Sequence, residues 1–205
     1  MITIGITGII GSGKTTASTA LKNKGIPVVD LDFLARNALT LTEVHEDIQR
    51  ELGNGFVAEG EIVVERLRDL VFADKERLRK LEAIIHPRVL AQLWQTVKEL
   101  EDTGEKAVIV DGPLLFETDL HKKLDKTVVV TADMGVIRER LKIRGMAPDD
   151  IEKRISHQIP LWEKEKVADY VLFNNGTRED LDREIENLLE RINEWEVRTR
   201  CTSTT

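Results

Sequence analysis

Apolar positions along this chain fall into short continuous runs, separated by longer stretches with a helical period. Ile2-Thr3-Ile4-Gly5-Ile6-Thr7 is a strand-length run that enters glycines at once. A helix is predicted over Thr15–Lys22, with Gly25 ending it. Ile26–Asp30 reads as a second strand, its proline near the start, where a missing N–H does least harm. Ala107–Asp111 and Thr127–Thr131 are β-branched runs, and Tyr170–Phe173 makes a fifth strand. Continuous apolar strands alternating with helices indicate a parallel sheet covered on both faces, hence an α/β fold.

About 75 residues separate Asp30 from Ala107, whereas one crossover helix needs roughly 10–20. The intervening stretch has helical spacing: Leu67, Leu70 and Val71 share a face, as do Leu78, Leu81 and Ile85, then Leu90, Leu93, Val97 and Leu100. It reads either as an insertion where an acceptor docks or as a bundle that only adds core. A second unit is expected over Val136–Val167, where Arg138, Arg140, Lys142 and Arg144 crowd together against Glu139 alone. Arg178–Trp195 is an amphipathic helix with Leu181, Ile185, Leu188, Leu189, Ile192 and Trp195 on one side, expected to pack on the sheet. Residues 198–205 are polar, and fraying is expected there.

Composition changes this picture little. The 205 residues fit one compact domain with an inserted subdomain. A net charge of −7, with 30 basic and 37 acidic residues interspersed, argues against nucleic acid as a partner. No run approaches the roughly 18 apolar residues of a spanning helix, and Met1-Ile2-Thr3-Ile4 lacks the basic start of a signal peptide. A lone Cys201 makes no internal disulfide, so a reduced, cytoplasmic setting is expected.

The chemistry is concentrated in Gly8-Ile9-Ile10-Gly11-Ser12-Gly13-Lys14-Thr15, which fits G-x-x-x-x-G-K-[ST] between a predicted strand and a predicted helix. Glycines let the backbone wrap phosphate oxygens, and the N–H groups at the helix start supply donors and the positive dipole end. Gly8, Gly11, Ser12, Gly13, Lys14, Thr15 and the adjoining Thr16 are therefore the candidate nucleotide-binding set. Lys14 is expected to reach the β- and γ-phosphates of ATP, and the Thr15 hydroxyl to ligate Mg²⁺. Asp30 and Asp32 close the second strand, and strand alternation would put both on one side. Asp32 is the candidate catalytic base, taking the proton of an acceptor hydroxyl, or else an N-cap for the helix at Phe33-Leu34-Ala35-Arg36. Asp30 either assists that base or reaches the water shell of Mg²⁺, and Asp111 is a candidate for the same shell, although an ordinary strand-end acid would look the same at Asp111. Arg140 and Arg144 share a helical face, either as a lid closing over the transferring phosphate or as a solvated stripe.

Taken in order, these pieces resemble the dephospho-CoA kinase family over roughly residues 1–177. Beyond Thr7–Thr15, the resemblance rests on Asp30-Leu31-Asp32 with Ala35-Arg36, Leu81-Glu82 with His86-Pro87, and Asp111 with Pro113-Leu114-Leu115-Phe116-Glu117. It continues through Arg140, Arg144, Arg154 and Gln158, then Ala168-Asp169-Tyr170 and Asn174-Asn175-Gly176. The resemblance implies ATP-dependent transfer to the 3′-hydroxyl of the ribose of dephospho-CoA, on a P-loop NTPase fold. It implies a nucleotide core (1–30, 105–135 and 168–197), a helical acceptor subdomain (31–104), a lid (136–167) and a polar tail (198–205). It assigns Asp32, Lys14 and Arg140 to catalysis and Arg144, Asn174 and Gly176 to the nucleotide. Asp32, Arg36, His86, Pro113 and Leu114 go to the acceptor, with His86 alternatively only preceding a proline that opens a helix. A monomer or weak homo-oligomer is expected. Ile9 stands where the family often has glycine, Thr15 where it usually has serine, and Val64 where it often has arginine. Another small-molecule kinase of the adenylate-kinase type would share the chemistry, and a nucleotide-switched regulator would share only the loop.

Overall fold

The computed structural model describes residues 1–58, 61–63, 66–67 and 74–202. Leu70, Val71, Val64 and the last three residues of the tail lie outside the described set. Two compact units emerge, one formed by Met1–Val29 with Glu99–Thr205 and the other by Asp30–Lys98.

The first unit is built on strands β1 (Ile2–Thr7), β5 (Ala107–Asp111), β6 (Lys126–Thr131) and β7 (Tyr170–Phe173). With β2 (Val28–Asp30) they form one sheet in the order β2-β5-β1-β6-β7. The parallel register aligns Ile6 with Asp111 and with Val128, and Thr131 with Phe173. Thr7, Asp111, Thr131 and Phe173 therefore end their strands at one edge, and the segments leaving them share it. The period of two puts Ile2, Ile4 and Ile6 on one face, with Ile109, Val128, Val130 and Leu172 beside them.

That face is covered by α1 (Lys14–Asn23), through Ala17, Ala20 and Leu21, and by the C-terminal helix α8 (Arg178–Thr202). Leu181, Ile185, Leu188, Ile192 and Trp195 of α8 are all buried there, each apolar side chain contributing roughly 1.5–3 kcal/mol. The helix begins in a capping box: the Asp180 carboxylate accepts from the Thr177 N–H at 2.8 Å, and the Asp180 N–H donates to the Thr177 hydroxyl at 3.3 Å. It runs on to Thr202, so positions 198–202 lie within the helix. Between β6 and β7 lie α5 (Met134–Ile143), α6 (Pro148–Ser156) and α7 (Leu161–Val167).

The second unit is mostly helical, with α2 (Leu31–Ala38), α3 (Thr42–Leu52) and most of α4 (Lys75–Asp102). It also holds an unanticipated two-stranded ladder of β3 (Val57–Ala58) and β4 (Glu61–Ile62), too short to register as a pattern. Val44, Ile48, Leu52, Leu67, Ile84, Ile85, Val89 and Leu93 are buried. Arg88 ties α4 to α3, its guanidinium bonding Asp47 at 2.6 Å and Glu43 at 3.4 Å. The expectation that Pro87 opens a helix is corrected: it sits inside α4. The missing N–H and ring crowding of a mid-helix proline disturb the preceding turn. Next to it, Arg88 Nη1 donates to the Ile84 carbonyl at 2.7 Å.

Candidate active site

The loop leaving β1 is shaped by its glycines. A Cβ on Gly8 would run into the Ser12 hydroxyl and lie 2.6 Å from the Val130 carbonyl. Gly13 has φ +97°, a left-handed conformation that disfavours other residues, and a Cβ there would strike the Asn174 amide. Gly11, at φ +83°, lies against Ile137 and Leu141 of α5. Gly13 is also the N-cap residue of α1, with no side-chain cap, so the first N–H groups of that helix are left to the loop.

Two polar atoms of this cradle are buried without a hydrogen-bond partner, the Ser12 hydroxyl and Arg140 Nη1. Orphans of that kind are costly unless a ligand satisfies them. Arg140 is half-buried, and its Nη1 lies 3.9 Å from where a Gly13 Cβ would stand. Its other amine donates to Asn174 Oδ1 at 3.5 Å. The Asn174 amide in turn donates to the Ser12 carbonyl at 2.8 Å. Asn174 thus supports the loop from within the protein, and Gly176 lets Asp180 close over the Thr177 cap, where a Cβ would collide.

Lys14 forms an ion pair with Asp111, and both side chains are mostly buried. Thr15 is exposed at the first turn of α1, and Thr16 is half-buried beside it. Among the described residues no three acidic, histidine or cysteine side chains converge on a metal position. A hydroxyl and one carboxylate instead suit Mg²⁺, which keeps much of its water and is completed by phosphate oxygens.

Arg140 and Arg144 do not act as one stripe. Arg140 turns inward to the loop, whereas Arg144 is the exposed C-cap residue of α5. Arg138 is engaged with Glu152 of α6 at 2.6 Å, and Arg154 is exposed. Gln158 accepts the loop's Ile10 N–H at 3.0 Å. Below the edge, Asp169 takes the Thr127 N–H at 2.8 Å and the Lys126 ammonium at 2.8 Å. Burial, the largest single influence, pushes the Asp169 carboxyl up, but these donors outweigh it and hold the group below its ordinary value.

Asp30 and Asp32 belong to the second unit. The expectation that both extend from a strand is corrected: Asp30 ends β2 and caps α2, accepting the Phe33 N–H at 3.0 Å, while Asp32 is already helical. The capping role falls on Asp30 because only the residue before the first helical one has its side chain beside the orphan N–H groups. Asp32, Arg36 and His86 are exposed within that unit. On the sheet edge Pro113 is half-buried and Leu114 exposed. Sequence reasoning missed Lys164, which is wholly buried and pairs with Glu117 at 2.8 Å. Nothing in Glu163-Lys164-Glu165-Lys166 distinguishes it from a solvated charge run.

A phosphate-binding loop between the central strand of a parallel sheet and a helix, with a lysine and an arginine turned to it, defines a P-loop nucleotide-binding fold. The family model for dephospho-CoA kinase matches residues 2–180. The chain is 40% identical over 183 residues to the dephospho-CoA kinase of Symbiobacterium thermophilum, covering 88% of this chain and 75% of that one. It is 39% identical over 199 residues to that of Geobacillus kaustophilus, covering 96% and 98%. A crystal structure of a Thermus thermophilus protein superposes with a TM-score of 0.82 at 37% identity, over 93% of this chain and 97% of that one. The chain belongs to the dephospho-CoA kinase family.

Proposed function

We propose that the chain transfers the γ-phosphoryl group of ATP to the ribose 3′-hydroxyl of dephospho-CoA, giving coenzyme A and ADP. Family membership across residues 2–180 is the observation that carries the acceptor. The bond from the acceptor oxygen to γ-phosphorus forms as the bond from that phosphorus to the β-γ bridging oxygen breaks, and ADP leaves with the electron pair. Asp32 takes the hydroxyl proton, from an exposed position in the first turn of α2.

Lys14 moves from Asp111 to the β- and γ-phosphates, which offer more negative charge than one carboxylate. The Ser12 hydroxyl and Arg140 Nη1, buried and unpaired, find partners in phosphate oxygens as charge spreads over them. Thr15 would hold Mg²⁺, and Asp111 and Asp30 are the carboxylates that would act on it through bound water. When bound, Mg²⁺ neutralises charge across the β- and γ-phosphates. Gly8, Gly11, Gly13, Thr16, Arg144, Asn174 and Gly176 hold or shape the nucleotide site, Asn174 through the Ser12 carbonyl. Arg36, His86, Pro113 and Leu114 meet the acceptor, and α5–α7 serve as the lid.

The partner is a small molecule, with neither nucleic acid nor membrane, in a cytoplasmic monomer or weak homo-oligomer. The acidic balance argues against nucleic acid, and among the described residues no helix is long and apolar enough to cross a membrane. The test is ADP release from ATP and Mg²⁺ with and without dephospho-CoA, the product identified by mass. One added phosphate with stimulated ADP release is expected. ATP binding without stimulation would overturn the acceptor and leave the loop chemistry standing.

A further inference from the structure

Lys164, on α7, is wholly buried, and its ammonium bonds Glu117 and the Pro113 carbonyl rather than the phosphate loop. Its ammonium pairs with Glu117 Oε1 at 2.8 Å and donates to the Pro113 carbonyl at 3.2 Å. The same Pro113 carbonyl accepts the Thr7 hydroxyl at 3.2 Å, and Thr7 is the last residue before Gly8. Glu117 Oε1 also accepts the Ile159 N–H at 3.0 Å, while Oε2 is buried without a partner. One residue earlier, Gln158 holds the Ile10 N–H. Segment 158–164 is therefore fastened to the phosphate edge at both ends. Gln158 grips the loop itself, and Lys164 grips the β5 exit that carries Asp111, the partner of Lys14.

A buried ion pair seldom adds net stability over an apolar replacement of similar size, because desolvation offsets attraction. What it does supply is a defined geometry. Resting on the phosphoryl transfer proposed above, we infer that Lys164 is a positioning residue for that reaction. Through Glu117 and the Pro113 carbonyl it fixes the β1 and β5 exits against one another, and so the alignment of Lys14. Many loop N–H groups share the phosphates, so binding tolerates a small displacement. In-line transfer does not, since a misplacement of about 1 Å can cost on the order of 100-fold.

The experiment compares the full chain with Lys164→Met, Glu117→Gln, the double variant and Lys164→Arg. It reads kcat, KM for ATP and for dephospho-CoA, and the thermal midpoint. Lys164→Met is expected to lower kcat about ten- to 100-fold, with either KM changed less than about threefold. Glu117→Gln should act in the same direction, the double variant should cost no more than the worse single, and Lys164→Arg should recover most of kcat. If Lys164→Met does not fold, Glu117→Gln and Lys164→Arg decide. Variants with kcat within about twofold of the parent, or single losses that multiply in the double, overturn the inference. Parent protein that fails to phosphorylate dephospho-CoA overturns the acceptor reading instead, so the two failures are distinct.

Discussion

Lys14 and Asp111 meet in a mostly buried pair, so the lysine proposed to reach phosphate is already partly stripped of water. Removing it by Lys14→Ala leaves a buried carboxylate without its cation and takes away the group proposed to reach the γ-phosphate. ATP affinity should fall at least about tenfold and transfer should vanish. Asp32 is different in kind, being exposed on the second unit. Asp32→Asn preserves size and removes only the ability to take a proton. It should lower kcat on the order of 100-fold or more while ATP affinity stays within about twofold. Nucleotide titration and ADP release separate the two effects, and full activity in Asp32→Asn would end the base assignment. The loop was legible at this scale because the spacing of its glycines, lysine and threonine is itself the chemistry. The Asp30 cap and the buried Lys164 were not, since a carboxylate's hydrogen-bond partner and a lysine's burial depend on neighbours distant in sequence.

Helix α8 shows how an element's role follows from its period. Leu181, Ile185, Leu188, Ile192 and Trp195 recur at intervals of three and four, and all five are buried with the Ile2-Ile4-Ile6 face of β1. Leu188 is fully buried, and Leu188→Ala should cost about 2–5 kcal/mol through lost transfer energy and the cavity left behind. A urea titration checks it; a midpoint within error of the parent would show that the helix does not hold the sheet. The strands and this helix could be read ahead because period alone fixes which side chains meet a core. Helix α4 could not, because Pro87 reads locally as a start and only the tertiary context keeps the helix continuous through it. The β3–β4 ladder, with two residues in each strand, carries no period to detect.

Each compact unit carries a carboxylate whose ionised form the fold favours, and both contribute to how the molecule answers acid. In the first, Asp169 lies below its ordinary value despite burial, through Lys126 and Thr127. In the second, Asp47 lies below its own, chiefly through the bond from Arg88 and further through Arg50, against the opposing effect of burial. A folded value below the unfolded one, about 3.9 for aspartate, means that the unfolded chain binds more protons in mild acid. The contribution is fully present above about pH 5, where both forms are ionised. It is lost as pH falls through the lowered folded values. The thermal midpoint should therefore begin to drop below about pH 5 and go on dropping as pH falls through the lowered folded values. Asp169→Asn removes one of these charges, so it should lower the midpoint at neutral pH and flatten the acid slope. The variant and parent curves should converge as pH falls through the lowered folded value of Asp169. Curves that stay parallel through that range would mean the Lys126–Asp169 pair is fully offset by the water its members give up, and that acid sensitivity arises elsewhere.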